Sequence, residues 1–202
     1  MSTSMKRLIA VCFLLAVGGF FIADFALLTI RTRSLPKNFQ VVRAGVLYRS
    51  GQMRPEHFDQ VLREHQIRTV ICLNPEPASA FEADACDRTG TRFISFRMPG
   101  TGVGRPEDFE KVLAVVRDPS QQPVLVHCYA GANRTGATVA LYRMLEEGWR
   151  MEDALREMDV AGFDGSRDLV DHLKELLVSF QAKENVEAKL GREDSDESSS
   201  LR

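Results

Sequence analysis

Two residues with five between them, Cys128 and Arg134, form the spacing in this chain with the clearest chemical meaning. Tyr129, Ala130, Gly131, Ala132 and Asn133 lie between them, His127 precedes the cysteine and Thr135 follows the arginine. Residues 123–126 are an apolar run that predicts a strand, and the pattern from Arg134 onward predicts a helix. A strand that passes through a glycine-containing loop into a helix N-terminus makes a cradle of backbone N–H groups for an anion. Amides turned inward from Tyr129 to Arg134, together with the Arg134 guanidinium, would favour a thiolate at Cys128. The same groups would bind the equatorial oxygens of a phosphoryl group. Arginine suits that task better than lysine because its planar fork donates two parallel hydrogen bonds. Gly131 permits the positive φ or close backbone approach that a tight anion loop needs. The Thr135 hydroxyl is placed to donate to the sulfur when a phosphocysteine breaks down. His127 is read as a residue that orients the loop, since an activated thiol needs no separate base. This chemistry is nucleophilic attack on phosphorus, with no metal and no cofactor expected.

Such a loop must be held by a sheet and backed by a helix. The periodicities predict strands at 40–43, 46–49, 68–73, 92–97 and 124–127. They predict helices at 55–66, 78–89, 106–117, 134–147, 151–158 and 168–183, several of them punctuated by Pro or Gly at their ends. Alternation of strands and helices implies an α/β domain with a central, mainly parallel sheet flanked by helices. The Cys128 loop then falls at the carboxyl end of a strand, where such sheets bind ligands.

The run His127-Cys128-x-x-Gly131-x-x-Arg134-Thr135 resembles the signature of the cysteine-dependent protein tyrosine phosphatases, in their compact dual-specificity-like branch. The likeness extends over about residues 38–180. Leu47-Tyr48-Arg49-Ser50-Gly51-Gln52 is similar to the entry segment of bacterial, fungal and plant members, and Thr69-Val70-Ile71-Cys72-Leu73-Asn74 resembles their next core strand. The resemblance implies two-step hydrolysis through Cys128, with Arg134 binding phosphate, Thr135 assisting and Arg49 buttressing the loop. It implies a phosphorylated protein as substrate (phosphotyrosine, phosphoserine or phosphothreonine), or alternatively a phospholipid or inositol (pyro)phosphate. Some related lipid phosphatases protect an oxidised nucleophile by a disulfide to a cysteine in a nearby strand, which makes Cys72 a candidate redox partner of Cys128. A rhodanese-like sulfurtransferase loop has four residues between cysteine and arginine, and this one has five. A phosphate-binding adaptor without turnover stays open.

The pattern departs from that branch at the general acid. An aspartate is expected on a loop some thirty residues before the cysteine, yet residues 96–105 contain no acid at all. The first carboxylates beyond them are Glu107 and Asp108, which follow Arg105-Pro106 and also suit the first turn of a helix. Asp108 is the candidate acid. Without one, the enzyme would favour leaving groups that need little protonation, such as an aryl oxide or a phosphate.

The chain has 202 residues and a formal net charge of −2, which excludes nucleic-acid binding driven by bulk charge. Residues 1–7 form a short flank before an apolar segment, 8–30, that is about 34 Å long as a helix and sufficient to span a hydrocarbon core. Asp24 is the one charge inside it, and Lys6, Arg7, Arg31, Arg33 and Lys37 flank it. The expected organisation is a single-pass membrane anchor at 8–30, a basic linker at 31–37 and a phosphatase-like domain at 38–182 on the cytoplasmic side. A cleaved signal, which would make an exported enzyme, is the competing reading of the apolar segment. Residues 183–202 are acidic and serine-rich, which predicts an unstructured tail. Cys12, Cys72, Cys86 and Cys128 are too few and too unevenly spaced for a zinc site or a disulfide scaffold.

Overall fold

The computed structural model describes residues 37–74 and 80–200. The 8–30 segment read as an anchor, its flank 1–7 and the linker up to residue 36 lie outside the described residues. Among the described residues, no helix is long and apolar enough to cross a membrane. In chain order the elements are β1 (Gln40–Arg43), β2 (Leu47–Gly51), α1 (Pro55–Glu64), β3 (Thr69–Cys72), α2 (Ala80–Thr89) and β4 (Arg92–Ser95). They continue as α3 (Pro106–Arg117), β5 (Val124–Cys128), α4 (Asn133–Glu146), α5 (Met151–Val160) and α6 (Arg167–Ser200). The strands form one sheet in the order β1-β2-β5-β3-β4. β1 runs antiparallel to β2, and the other pairings are parallel.

β5 holds the middle of the sheet because all five of its residues are buried, as expected for a strand covered on both faces. Successive side chains alternate between those faces. Val124, Val126 and Cys128 join Leu47, Ile71 and Leu73 in the larger core, which packs beneath α3, α4, α5 and α6. Leu125 joins Tyr48 and Val70 on the other face, under Phe58, Val61 and Leu62 of α1 and Ala85 and Cys86 of α2. The spacing of Phe58, Val61 and Leu62 is the three- and four-residue period that predicted α1, and Pro55 starts that helix. α4 is buried on most of its circumference, from Arg134 to Tyr142. It is therefore the central helix, fixed behind the loop by neighbours on several sides.

α6 packs through Leu169, Leu173, Leu176 and Phe180, a stripe recurring every three or four residues. Arg117 ties α3 to α4 and α6 by donating to Glu146 at 2.6 Å and Glu184 at 2.7 Å. The backbone of α6 continues to Ser200, which corrects the expectation of an unstructured segment from 183. The low apolar content of that segment decided its burial, and residues 181–186 are exposed. It did not decide the backbone state, because a helix nucleated on a buried stripe extends at low cost through residues such as Glu, Lys and Ala.

Candidate active site

The loop from Cys128 to Arg134 leaves the carboxyl end of β5 and enters α4, and three of its carbonyls are held from outside. The Gln52 N–H donates to the Tyr129 carbonyl at 3.1 Å. The Asn38 side-chain amide donates to the Ala130 carbonyl at 2.8 Å and to Ala161, at the end of α5, at 2.9 Å. The Arg49 Nη2 donates to the Gly131 carbonyl at 2.7 Å. Because a peptide plane points its N–H opposite its C=O, carbonyls drawn outward turn the following amides inward. The Gly131 N–H shows the result, donating to Cys128 Sγ at 3.2 Å.

Gly131 has φ +73°, and a Cβ there would stand 2.5 Å from the Gly51 nitrogen and 2.7 Å from the Ser50 carbonyl carbon. Only glycine fits a loop pressed this closely against β2. Arg49 is fully buried beneath the loop, and burial pulls its pKa below the ordinary arginine value, partly offset by Glu157 and Cys128. Its Nε and Nη1 have no hydrogen-bond partner among the described residues, which leaves a desolvated cation under an anion cradle.

Arg134 is also buried, and its Nη1 donates to the Leu73 carbonyl and to Asn74 Oδ1, both at 3.1 Å. These contacts fix one nitrogen of the guanidinium at the carboxyl end of β3. Thr135 is fully buried, and its hydroxyl has no hydrogen-bond partner among the described residues. Tyr129 is exposed at the rim, with Lys37 Nζ 4.8 Å from its ring centroid. Asn133 donates to Asp164 Oδ2 at 2.8 Å, which lowers the Asp164 pKa and joins the start of α4 to the turn before α6. Gly102, at φ +88°, lies with its Cβ direction 3.2 Å from the Asn133 carbonyl carbon. The acid-free loop therefore packs against the start of α4.

Asp108 sits in the first turn of α3, largely buried, and both of its carboxylate oxygens accept hydrogen bonds from Arg105, at 2.9 and 3.0 Å. In this geometry both oxygens are acceptors. Cys72 also departs from expectation. It pairs in register with His127, so the sheet pleat turns it to the face opposite Cys128. Its sulfur lies near Glu82 and His127, which corrects its assignment as the partner of Cys128. Burial pushes Glu82 up to about 7 and His127 down to about 4, the latter partly countered by the Cys128 backbone.

Sequence patterns identified Cys128, Arg134, the loop residues and Arg49, and the fold gathers all of them. Asn38, Asn74, Asp164 and Glu82 were not identified. Each acts through polar contacts across 31 to 123 residues of chain, or through buried proximity to His127, and leaves no periodic trace.

The chain belongs to the tyrosine phosphatase family, whose model matches residues 35–195. It is 38% identical over 117 residues to inositol diphosphatase DSP1 of Oryza sativa subsp. japonica, covering 55% of this chain and 51% of that protein. It is 34% identical over 129 residues to the dual specificity protein phosphatase TpbA of Pseudomonas aeruginosa, covering 62% and 55% respectively. The chain thus spans little more than half the length of these relatives. The core catalytic domain of the PP-IP phosphatase SIW14 from S. cerevisiae superposes with a TM-score of 0.63 at 26% identity, over 74% of this chain and 94% of that one. P. aeruginosa TpbA superposes with a TM-score of 0.58 at 26% identity, over 71% and 90%.

If the outward carbonyl anchors shape the loop, Arg49→Lys should keep the fold and lower kcat/KM about 100-fold, the scale of an ångström misplacement. Gly131→Ala should abolish turnover. Steady-state kinetics beside circular dichroism checks both, and an active Gly131→Ala protein would show that the loop tolerates another backbone path.

Proposed function

We propose that this chain is a cysteine-dependent phosphatase that cleaves the phosphoanhydride of inositol diphosphates. Cys128 Sγ attacks the terminal phosphorus, and the bond to the bridging oxygen breaks with its electron pair passing to the remaining phosphate. Arg134 and the inward amides hold the three equatorial oxygens as charge builds on them. Water then attacks the phosphocysteine, and the departing sulfur takes a hydrogen bond from Thr135. The observation that carries the substrate choice is the bidentate Arg105–Asp108 pair beside an acid-free loop. A phosphate leaves without a proton far more readily than an alkoxide does. The likeness to proteins named inositol diphosphatases supports the same choice.

A second reading is phosphotyrosine, whose phenolate is also a competent leaving group. It is favoured by the exposed Tyr129 ring at the rim, with Lys37 over it, and by the likeness to TpbA. Kinetics with an inositol diphosphate, a phosphotyrosine peptide, a phosphoserine peptide and a phosphoinositide distinguish them. The diphosphate should give the highest kcat/KM, Cys128→Ser should abolish it, and Asp108→Asn should change it less than about 10-fold. A general acid would account for about 10²–10⁴-fold. Highest activity on the tyrosine peptide would favour the second reading, and no Cys128-dependent turnover on any substrate would favour a phosphate-binding adaptor.

Membrane attachment through residues 8–30 is a separate part of the proposal, supported by their apolar composition and length. The full chain should stay with membranes through an alkaline carbonate wash, with the 38–182 region accessible from the cytoplasmic side. Release of the full chain by the wash would remove the anchor.

A further inference from the structure

Three chemistry-bearing side chains outside the phosphate loop converge on the opposite face of the sheet. β3 pairs Cys72 with His127, and the first turn of α2 brings Glu82 against both. One donor atom from each, the Cys72 sulfur, a Glu82 carboxylate oxygen and a His127 ring nitrogen, lies within 4.8 Å of the others. Cys72 and Glu82 are fully buried, and His127 is 1% exposed. Neither oxygen of Glu82 and neither ring nitrogen of His127 makes a hydrogen bond of acceptable geometry among the described residues. Buried polar atoms are rarely left so, and an ion is one standard reason for it.

The distances favour an ion. His127 Nε2 and Glu82 Oε2 are 3.6 Å apart, beyond hydrogen-bonding range. Two ligands held at ~2.0–2.1 Å by one ion, with an angle of about 120° between them, have that separation. Closure of the sulfur from within that 4.8 Å limit, toward a ~2.3 Å bond, supplies the third protein ligand. Thiolate, imidazole and carboxylate together select zinc over magnesium or calcium, which prefer oxygen ligands.

We propose that Cys72, Glu82 and His127 bind a single thiophilic divalent cation of the zinc class, enclosed between β3, β5 and α2 behind the nucleophile loop. Binding releases the Cys72 thiol proton, and any proton on Glu82, to solvent. Because the ligands are sealed, loading requires local opening of α2 and is slow. The ion crosslinks three elements and fixes His127, which is bonded to Cys128 and accepts at its own carbonyl from the Leu73 N–H at 2.9 Å. The site uses none of the groups that hold phosphate, and it binds with or without turnover.

The test is a titration of the chelator-treated full chain with Co²⁺, followed by Zn²⁺. One cobalt per chain should bind with a thiolate-to-cobalt charge-transfer band, and zinc should displace it and raise the Tm. The Cys128→Ser protein should keep the band. Cys72→Ser should lose it, and Glu82→Gln, which retains Cys72 and Cys128, should bind cobalt at least ~10-fold more weakly with an unchanged circular dichroism spectrum. A band that disappears with Cys128→Ser and survives Cys72→Ser would place the metal on the nucleophile and overturn the proposal. So would the absence of stoichiometric cobalt binding, which would leave Glu82 and His127 as a metal-free neutral pair.

Discussion

The buried hydrogen bond from Arg49 to the Gly131 carbonyl is the constraint around which the site is built. A loop that binds an anion must point several consecutive amides the same way, a conformation that isolated backbone does not hold. Arg49, the Gln52 N–H and Asn38 supply the restraint by drawing out the carbonyls of three successive residues. This explains the position of β2, which pairs with β5 along its whole length, from Leu47 with Val124 to Gly51 with Cys128. The strand carries Arg49 under the loop and ends in Gly51 at the point of closest approach. Its partner β1 covers the outer side, and Asn38 stands just before β1. The amino-terminal hairpin is therefore part of the active-site scaffold as well as the sheet edge.

The two faces of the sheet have different roles. One side of β5 presents Cys128 to the loop and packs α4 behind it, so the cysteine is anchored in the larger core. The other side presents His127, in edge contact with Phe58 and near Glu82 and Cys72. Adjacent residues on one strand thus connect the phosphate cradle to a sealed polar cluster. A single peptide unit separates that cluster from Cys128.

Much of this was legible in the sequence because it is local. The Cys128-to-Arg134 spacing, the apolar run of β5 and the proline starts of α1 and α3 each leave a contiguous trace. Arg49 was found through its flanking residues. Asn38 was not, because a lone asparagine before a strand has no period and reveals its role only when Ala130 is brought 2.8 Å away. The proximity of Cys72 to Cys128 in the sheet was visible in the sequence, and the pleat that turns the two to opposite faces was not. Asp108 looked like a free acid in a helix's first turn, and the structure gives it a neighbour, Arg105, that occupies both oxygens. For α6, composition reported burial and was silent on backbone state.

The proposed function requires the anchored loop to make Cys128 a nucleophile toward a phosphoanhydride. Rapid-quench mass spectrometry of the enzyme mixed with an inositol diphosphate examines that step directly. A phosphoryl group on the Cys128 peptide, formed and lost at rates that account for turnover, is the predicted result. Turnover without any phosphorylated Cys128, or with the phosphoryl group on another residue, would contradict it.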